Sequence, residues 1–303
     1  MSSEEIIAKW RKRLKDERLA PRTISFYVET IHAVLALMEK LKLQTHPHTI
    51  NAEDVQKLLD YLKDEQYAVQ TRKGYLTTLR RFCRSFENPW IEQWPRPRFP
   101  HDTRPNADWL DAEQAQQLLH ADISPIQTIV VHLELCLGLR HVEVIRLRKK
   151  DIDRDTKTIL VRGKGPEGGK LRTVPYAVGT EGAIGIWGAH RNQMVEKGRR
   201  RHPVTFEDPE EFIVWSKAGV LHPYSEEGYG LDKVVTLPLS EALGFSFSNH
   251  TLRRTFGRAL YRADVPVATI AAILGHESTD VTLKYIGVNL DDMRDAMSKE
   301  IYQ

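Results

Sequence analysis

Two cysteines in 303 residues leave no disulfide framework. Both Cys83 and Cys136 sit inside helical apolar patterns (Phe82 and Phe86; Leu133 and Leu137), where a thiol serves as a small hydrophobe. No apolar run approaches the length of a membrane-spanning helix. The opening stretch MSSEEIIAKW carries acids where a secretion signal needs a basic and then an apolar segment, so a cytoplasmic protein with no membrane partner is expected. Internal repeats, low-complexity tracts, metal-ligand spacings and an ATP-binding motif are all missing, and neither a metal nor a cofactor is expected. Charge of one sign is lacking too: 44 basic against 41 acidic side chains leave a net +3. A nucleic-acid partner would therefore have to be met by a local concentration of cations.

What is present is a chain long enough for about two domains, 41% apolar, with helical patterning along most of it. Ile6, Trp10 and Leu14 recur at helical spacing, and Pro21 opens a second helix striped by Ile24, Tyr27, Ile31, Leu35 and Met38. Asn51 with Asp54 caps a third helix, and Gln70-Thr71 begins a fourth bearing Leu76, Leu79, Phe82 and Phe86. Residues 1–88 thus read as a four-helix unit with many exposed cations, among them Lys73, Arg80, Arg81 and Arg84. The stretch 89–108 is rich in Pro and Arg (Arg96, Arg98, Arg104) and reads as an extended linker.

Beyond it, Asp111 with Gln114 and then Pro125 open two further helices, the second stopping at Gly138. Strand-like 158–162 and 171–174 flank a glycine-rich turn, a helix is expected over 181–198, and another near 231–243. Residues 199–245 otherwise match no motif. The fold class is mainly α with a small β-hairpin sheet.

The chemistry concentrates in residues 248–287. His250 and Arg253 stand at i and i+3 on one helix face. Leu274-Gly275-His276 follows an apolar run and reads as a helix end that places an imidazole in a cleft. Tyr285 follows nine residues later. Two protonatable or cationic groups, a second imidazole and a lone phenol are what attack on a phosphodiester requires, because a phenol at neutral pH needs both a neutralised electrophile and a proton acceptor.

These separations resemble the tyrosine recombinase (phage integrase) family, and the resemblance extends upstream. LGLRHVEVIRL at 137–147 looks like the family's first arginine motif, with Arg140 as the catalytic arginine and Glu143 as its acidic neighbour. ILVRGKGPEGGKLRTVP at 159–175 is similar to the family's β-hairpin, whose lysine falls on Lys164; the longer turn leaves Lys170 as an alternative.

The resemblance implies a helical N-terminal core-binding domain (1–88), a linker (89–108), a catalytic domain of the DNA breaking-rejoining type (109–288) and a C-terminal tail helix (289–303). It also implies a site-specific recombinase that cleaves double-stranded DNA through a 3′-phosphotyrosyl bond, working as a dimer to tetramer on DNA, with a possible accessory protein. In that reading Tyr285 attacks, Arg140, Arg253 and His276 bind the phosphate, His250 takes the phenolic proton, and Lys164 protonates the leaving oxygen. A type IB topoisomerase-like relaxing enzyme and a non-catalytic architectural DNA-binding protein stay open as alternatives. Leu290, Met293, Met297 and Ile301 form an apolar stripe in the tail, expected to dock on a neighbouring protomer.

Overall fold

The structure is a computed structural model that describes residues 3–88, 97, 99, 108–163, 169–225, 230–287 and 292. The chain divides into two compact units, Met1–Arg104 and Pro105–Gln303, a boundary within the linker expected from the proline-rich stretch. The linker arginines Arg96, Arg98 and Arg104, the hairpin lysine Lys164 and the tail stripe lie outside the described residues.

In the first unit, α1 (Ser3–Asp16), α2 (Pro21–Lys40), α3 (Ala52–Asp64) and α4 (Val69–Ser85) enclose a core centred on Trp10. The indole is fully buried, meets the Phe82 ring edge-on at 5.1 Å, and donates from Nε1 to Ser85 Oγ at 3.0 Å. That contact satisfies the one polar atom of the largest side chain in the cluster, so its burial carries no unpaired donor. Asn51 and Asp54 form the expected capping box on α3. The fourth helix starts at Val69, one residue before Gln70, and its N-cap Ala68 offers no side-chain hydrogen bond.

In the second unit, α5 (Ala112–His120) and α6 (Pro125–Val131) lead into a π turn over His132–Cys136, a widening that places one extra residue in the helix. Gly138 then turns the chain with φ +63°, and a Cβ there would lie 2.4 Å from the Phe256 ring. Only glycine fits. The short α7 (His141–Ile145) follows, then an antiparallel meander of β1 (Ile152–Asp153), β2 (Thr158–Arg162) and β3 (Leu171–Pro175). Ile159 pairs with Val174 and Val161 with Arg172, so alternate β2 residues Ile159 and Val161 face the core.

The helix expected over 181–198 is longer: α8 runs Val178–Arg201. The segment that sequence patterns left blank is a loop and a hairpin, β4 (Val214–Lys217) and β5 (Val220–Pro223). It is tied down by polar contacts: Arg191, 3% exposed, donates to Asp208 Oδ1 at 2.7 Å and to the Pro209 carbonyl at 2.8 Å. Trp187 Nε1 donates to the Phe212 carbonyl at 2.8 Å. A 3₁₀ turn at Leu231–Lys233 and α9 (Thr236–Leu243) replace the single helix expected near 231–243. Three helices end the described chain: α10 (Asn249–Arg262), α11 (Val267–Leu274) and α12 (Thr279–Ile286). Among the described residues no helix is long and apolar enough to cross a membrane.

Candidate active site

Ser248 caps α10 by accepting from the Thr251 N–H, which fixes the helix start so that His250 and Arg253 share a face, as their spacing implies. His250 is exposed at the rim, while Arg253 is 1% exposed. Gly275, at φ +65°, ends α11 with a Schellman-type turn in which the His276 N–H returns to the Ala271 carbonyl at 2.9 Å. That end leaves the last carbonyls of α11 without helical partners, at the negative pole of the helix dipole.

Three arginines fill that vacancy. Arg172 Nε donates to the Ile273 carbonyl at 2.7 Å, Arg140 Nη1 to Leu274 at 3.3 Å, and Arg253 Nη2 to Leu274 as well. Arg253 Nη1 donates to the carbonyl of Gly138, so the glycine turn also presents an acceptor to the cluster. The same three guanidiniums converge on the buried carboxylate of Glu143: Arg140 at 2.9 Å, Arg172 in a two-bond fork at 2.9 and 2.8 Å, and Arg253 at 3.6 Å. Burial works against the charge on Glu143, but the bonds from Arg172 and Arg140 and the charge of Arg253 hold its carboxyl below the ordinary range. Breaking a buried pair of this kind costs about 3–5 kcal/mol, so Glu143 acts as the anchor of the cluster.

Sequence patterns missed Arg172. Its register opposite Val161, beside the glycine-rich turn, is the one local signal, and its partners lie 29 and 101 residues away. Thr282 was missed as well. Arg253 can only donate, so its contact to His276 Nε2 at 3.3 Å makes that nitrogen an acceptor, and Nδ1 then donates to Thr282 Oγ1 at 2.9 Å. In this arrangement His276 orients Arg253; donating to a phosphate would require exchange of that contact. Burial, followed by the charges of Arg253 and Arg140, pushes the His276 imidazole down to about 4, so it is neutral at pH 7.

Tyr285, on α12, lies over this cluster. Its ring meets His276 edge-on at 5.0 Å and His250 at 6.4 Å, with the Arg253 and Arg254 guanidiniums 5.7 and 5.5 Å from its centroid. The hydroxyl is buried and has no hydrogen-bond partner among the described residues. Burial raises the phenol above its ordinary value, and the charges of Arg253 and Arg254 offset only part of that rise. The resting phenol is therefore protonated and needs a base. Loss of water around its ring and the charges of Arg254, Arg253, Arg140 and His141 hold the His250 imidazole below its ordinary value, so it is neutral and able to accept.

Beside the cluster opens a cavity of about 440 Å³ lined by Arg140, Lys170, Arg172, His276 and Glu277. Lys170 is exposed and lies 3.9 Å from Glu277. Three cations against one carboxylate leave the Arg140–Arg172–Arg253–Glu143 group with a surplus of positive charge next to a phenol, which suits an anionic ester.

Comparison with known proteins identifies the family. The phage integrase family model matches residues 108–291, and the model of the phage integrase N-terminal SAM-like domain matches 7–87. The tyrosine recombinase XerC of Oceanobacillus iheyensis is 25% identical over 300 residues, covering 94% of this chain and 91% of its own. The tyrosine recombinase XerA of Saccharolobus solfataricus is 24% identical, covering 91% and 86%. Among solved structures, the XerH site-specific recombinase bound to palindromic difH substrate superposes with a TM-score of 0.66 at 16% identity, covering 97% of this chain and 83% of that one. A lambda integrase dimer bound to a core site superposes at 0.64 and 16% identity, covering 100% and 98%. With a family model covering more than half of its length, this chain belongs to the phage integrase family, the tyrosine recombinases.

Proposed function

We propose that this chain is a site-specific DNA recombinase that cleaves and rejoins double-stranded DNA through a 3′-phosphotyrosyl intermediate. The observation that carries the reading is the Tyr285 phenol, protonated and without a hydrogen-bond partner among the described residues, facing two neutral imidazoles and Arg253 of the arginine cluster anchored on Glu143.

In the proposed step, Tyr285 Oη attacks the scissile phosphorus and His250 takes its proton. Charge growing on the non-bridging oxygens is met by Arg140 and Arg253, whose positions are set before substrate arrives. The bond to the 5′-oxygen breaks and that oxygen receives a proton from Lys164, or from Lys170. One phosphodiester replaces another, so rejoining by another strand's 5′-hydroxyl needs no energy source. Incubating the protein with suicide substrates that trap the cleaved strand tests this: a covalent protein–DNA species is expected, and none should form if the chain is only an architectural binder.

The pH dependence follows from His250. The reaction needs it neutral, so cleavage falls as pH drops through its value, which lies below that of an ordinary imidazole. On the acid side, single-turnover rates should therefore begin to fall only at a pH below the ordinary imidazole value. A fall centred on the ordinary value would assign the base elsewhere.

The first unit is proposed as the core-DNA-binding domain and Pro105–Gln303 as the catalytic domain. Support for the first comes from a groove of about 460 Å³ within it, lined by Tyr27, Lys73, Arg80, Arg81 and Arg84 with Phe99 at its edge. Each phosphate neutralised adds about 0.9 to the slope of log affinity against log salt. The chain truncated to Pro105–Gln303 should thus bind with a shallower salt dependence than the full chain, and equal slopes would deny the first unit a role in DNA binding.

Assembly as a dimer to tetramer on DNA, a location in the cytoplasm and docking of the tail on a neighbouring protomer belong to the same proposal. At the start of that tail, Asp292 accepts from Arg258 of its own chain at 2.7 Å, and Arg258 in turn stacks 4.8 Å from Trp109.

A further inference from the structure

Glu134, in the π turn, is fully buried, and the chemistry above does not use it. Its Oε1 lies 3.2 Å from His141 Nδ1, and its Oε2 has no hydrogen-bond partner among the described residues. On the far side of the same imidazole, Nε2 stands 3.6 Å from Asp232 Oδ1, and Asp232 accepts a hydrogen bond from Asn249 Nδ2. His141 follows Arg140 in the chain, and Asn249 precedes His250. Four side chains from the π turn, α7, the 3₁₀ turn and α10 therefore join the backbone that carries a phosphate-binding cation to the backbone that carries the base.

An imidazole flanked by two carboxylates is satisfied only when two protons are present, one shared with Glu134 and one on Nε2. Removing the shared proton leaves a carboxylate facing a nitrogen lone pair where no water can intervene, which is costly at low local dielectric. Arg253 faces this group with positive charge, and Asp232 adds negative charge from the rim. His250 lies close enough to feel the charge of His141.

We propose that His141 is a positioning residue for the cleavage reaction: the proton it shares with Glu134 and its contact to Asp232 fasten the Arg140 turn to the His250 helix. The proposal rests on the cleavage reading above. Burial pushes the Glu134 carboxyl up to about 7, with Asp232 raising it and His141 and Arg253 pulling the other way. The shared proton, a property of the pair and not of either residue, is thus held in mildly acid solution and lost as pH rises through the neutral range.

The test is the single-turnover cleavage rate of the full chain on a suicide substrate, followed from mildly acid to alkaline pH. Wild type is expected to lose rate on the alkaline side. E134Q, whose amide donates to Nδ1 at every pH, should keep its rate there. H141F should be slower on the acid side by on the order of tenfold, the scale of a small misplacement of reacting groups, and should converge with wild type at alkaline pH. D232N removes a negative charge from the half-exposed rim, where folding is not at risk, and should move the wild-type loss to lower pH.

Coincident wild-type and E134Q profiles, or an H141F defect of the same size at every pH, would overturn the proposal. If E134Q does not fold, an unshifted D232N profile overturns it equally. A covalent adduct from Tyr285→Phe would instead unseat the cleavage reading, so the two failures are separable.

Discussion

Tyr285→Phe is expected to bind its DNA site as tightly as the unaltered chain and to form no covalent DNA adduct. The substitution keeps the ring, and with it the edge-on contact to His276 and the flanking guanidiniums of Arg253 and Arg254. Only the hydroxyl is lost, and among the described residues it makes no hydrogen bond. Removing a buried polar group that has no partner relieves a desolvation cost of about 1–3 kcal/mol, so the variant should melt no lower than the parent. Loss of the adduct together with an undiminished melting temperature would separate a nucleophile from a structural tyrosine. Adduct formation at the parental rate would remove Tyr285 from the mechanism.

Arg253→Lys should lower cleavage by on the order of a hundredfold or more, the scale of deleting one preorganised oxyanion donor. Arg253 spans three partners at once: the Gly138 carbonyl, the Leu274 carbonyl and His276 Nε2. It also shares Glu143 with Arg140 and Arg172. An ammonium on a flexible stem cannot reproduce that planar fork, and freeing the Leu274 carbonyl also disturbs Arg140, which donates to the same oxygen. Burial and the nearby Arg140 already pull the Arg253 guanidinium down to about 10, still charged at pH 7; a lysine starts lower, and the same desolvation acts on it. The measurement is the single-turnover rate at saturating protein, with site affinity as the control. An unchanged rate would leave Arg253 a purely structural role.

What the sequence made legible was local. Ser248 capping α10 put His250 and Arg253 on one face, and Gly275 ending α11 placed His276 beside exposed carbonyls, because caps and glycine turns act within one helical turn. Arg140 and Glu143 were legible locally as a pair at i and i+3, and their place in a site came from the family resemblance. What makes them a site was not readable: Arg172 reaches Glu143 across 29 residues and α11 across 101, and no periodicity reports contacts of that span. Thr282 as the partner of His276, and the Glu134–His141–Asp232 group, escaped notice because each residue alone looks like an ordinary helix or turn residue. The 199–245 segment resisted for a related reason. Its order comes from Arg191 and Trp187 on α8 bonding to Asp208 and to loop carbonyls, so its stability is borrowed from another element and leaves no pattern of its own.

The central claim is that Tyr285 Oη becomes bonded to the 3′-phosphate of the cleaved strand. It is tested most directly by trapping the adduct on a suicide substrate, digesting it with trypsin and sequencing the nucleotide-bearing peptide by mass spectrometry. Cleavage after Lys284 and Arg294 gives the peptide 285–294. The predicted result is a 3′-phosphonucleotide on Tyr285 of that peptide, with a free 5′-hydroxyl on the released strand. A nucleotide on any other residue, or a 5′-phosphate linkage with a released 3′-hydroxyl, would contradict the account.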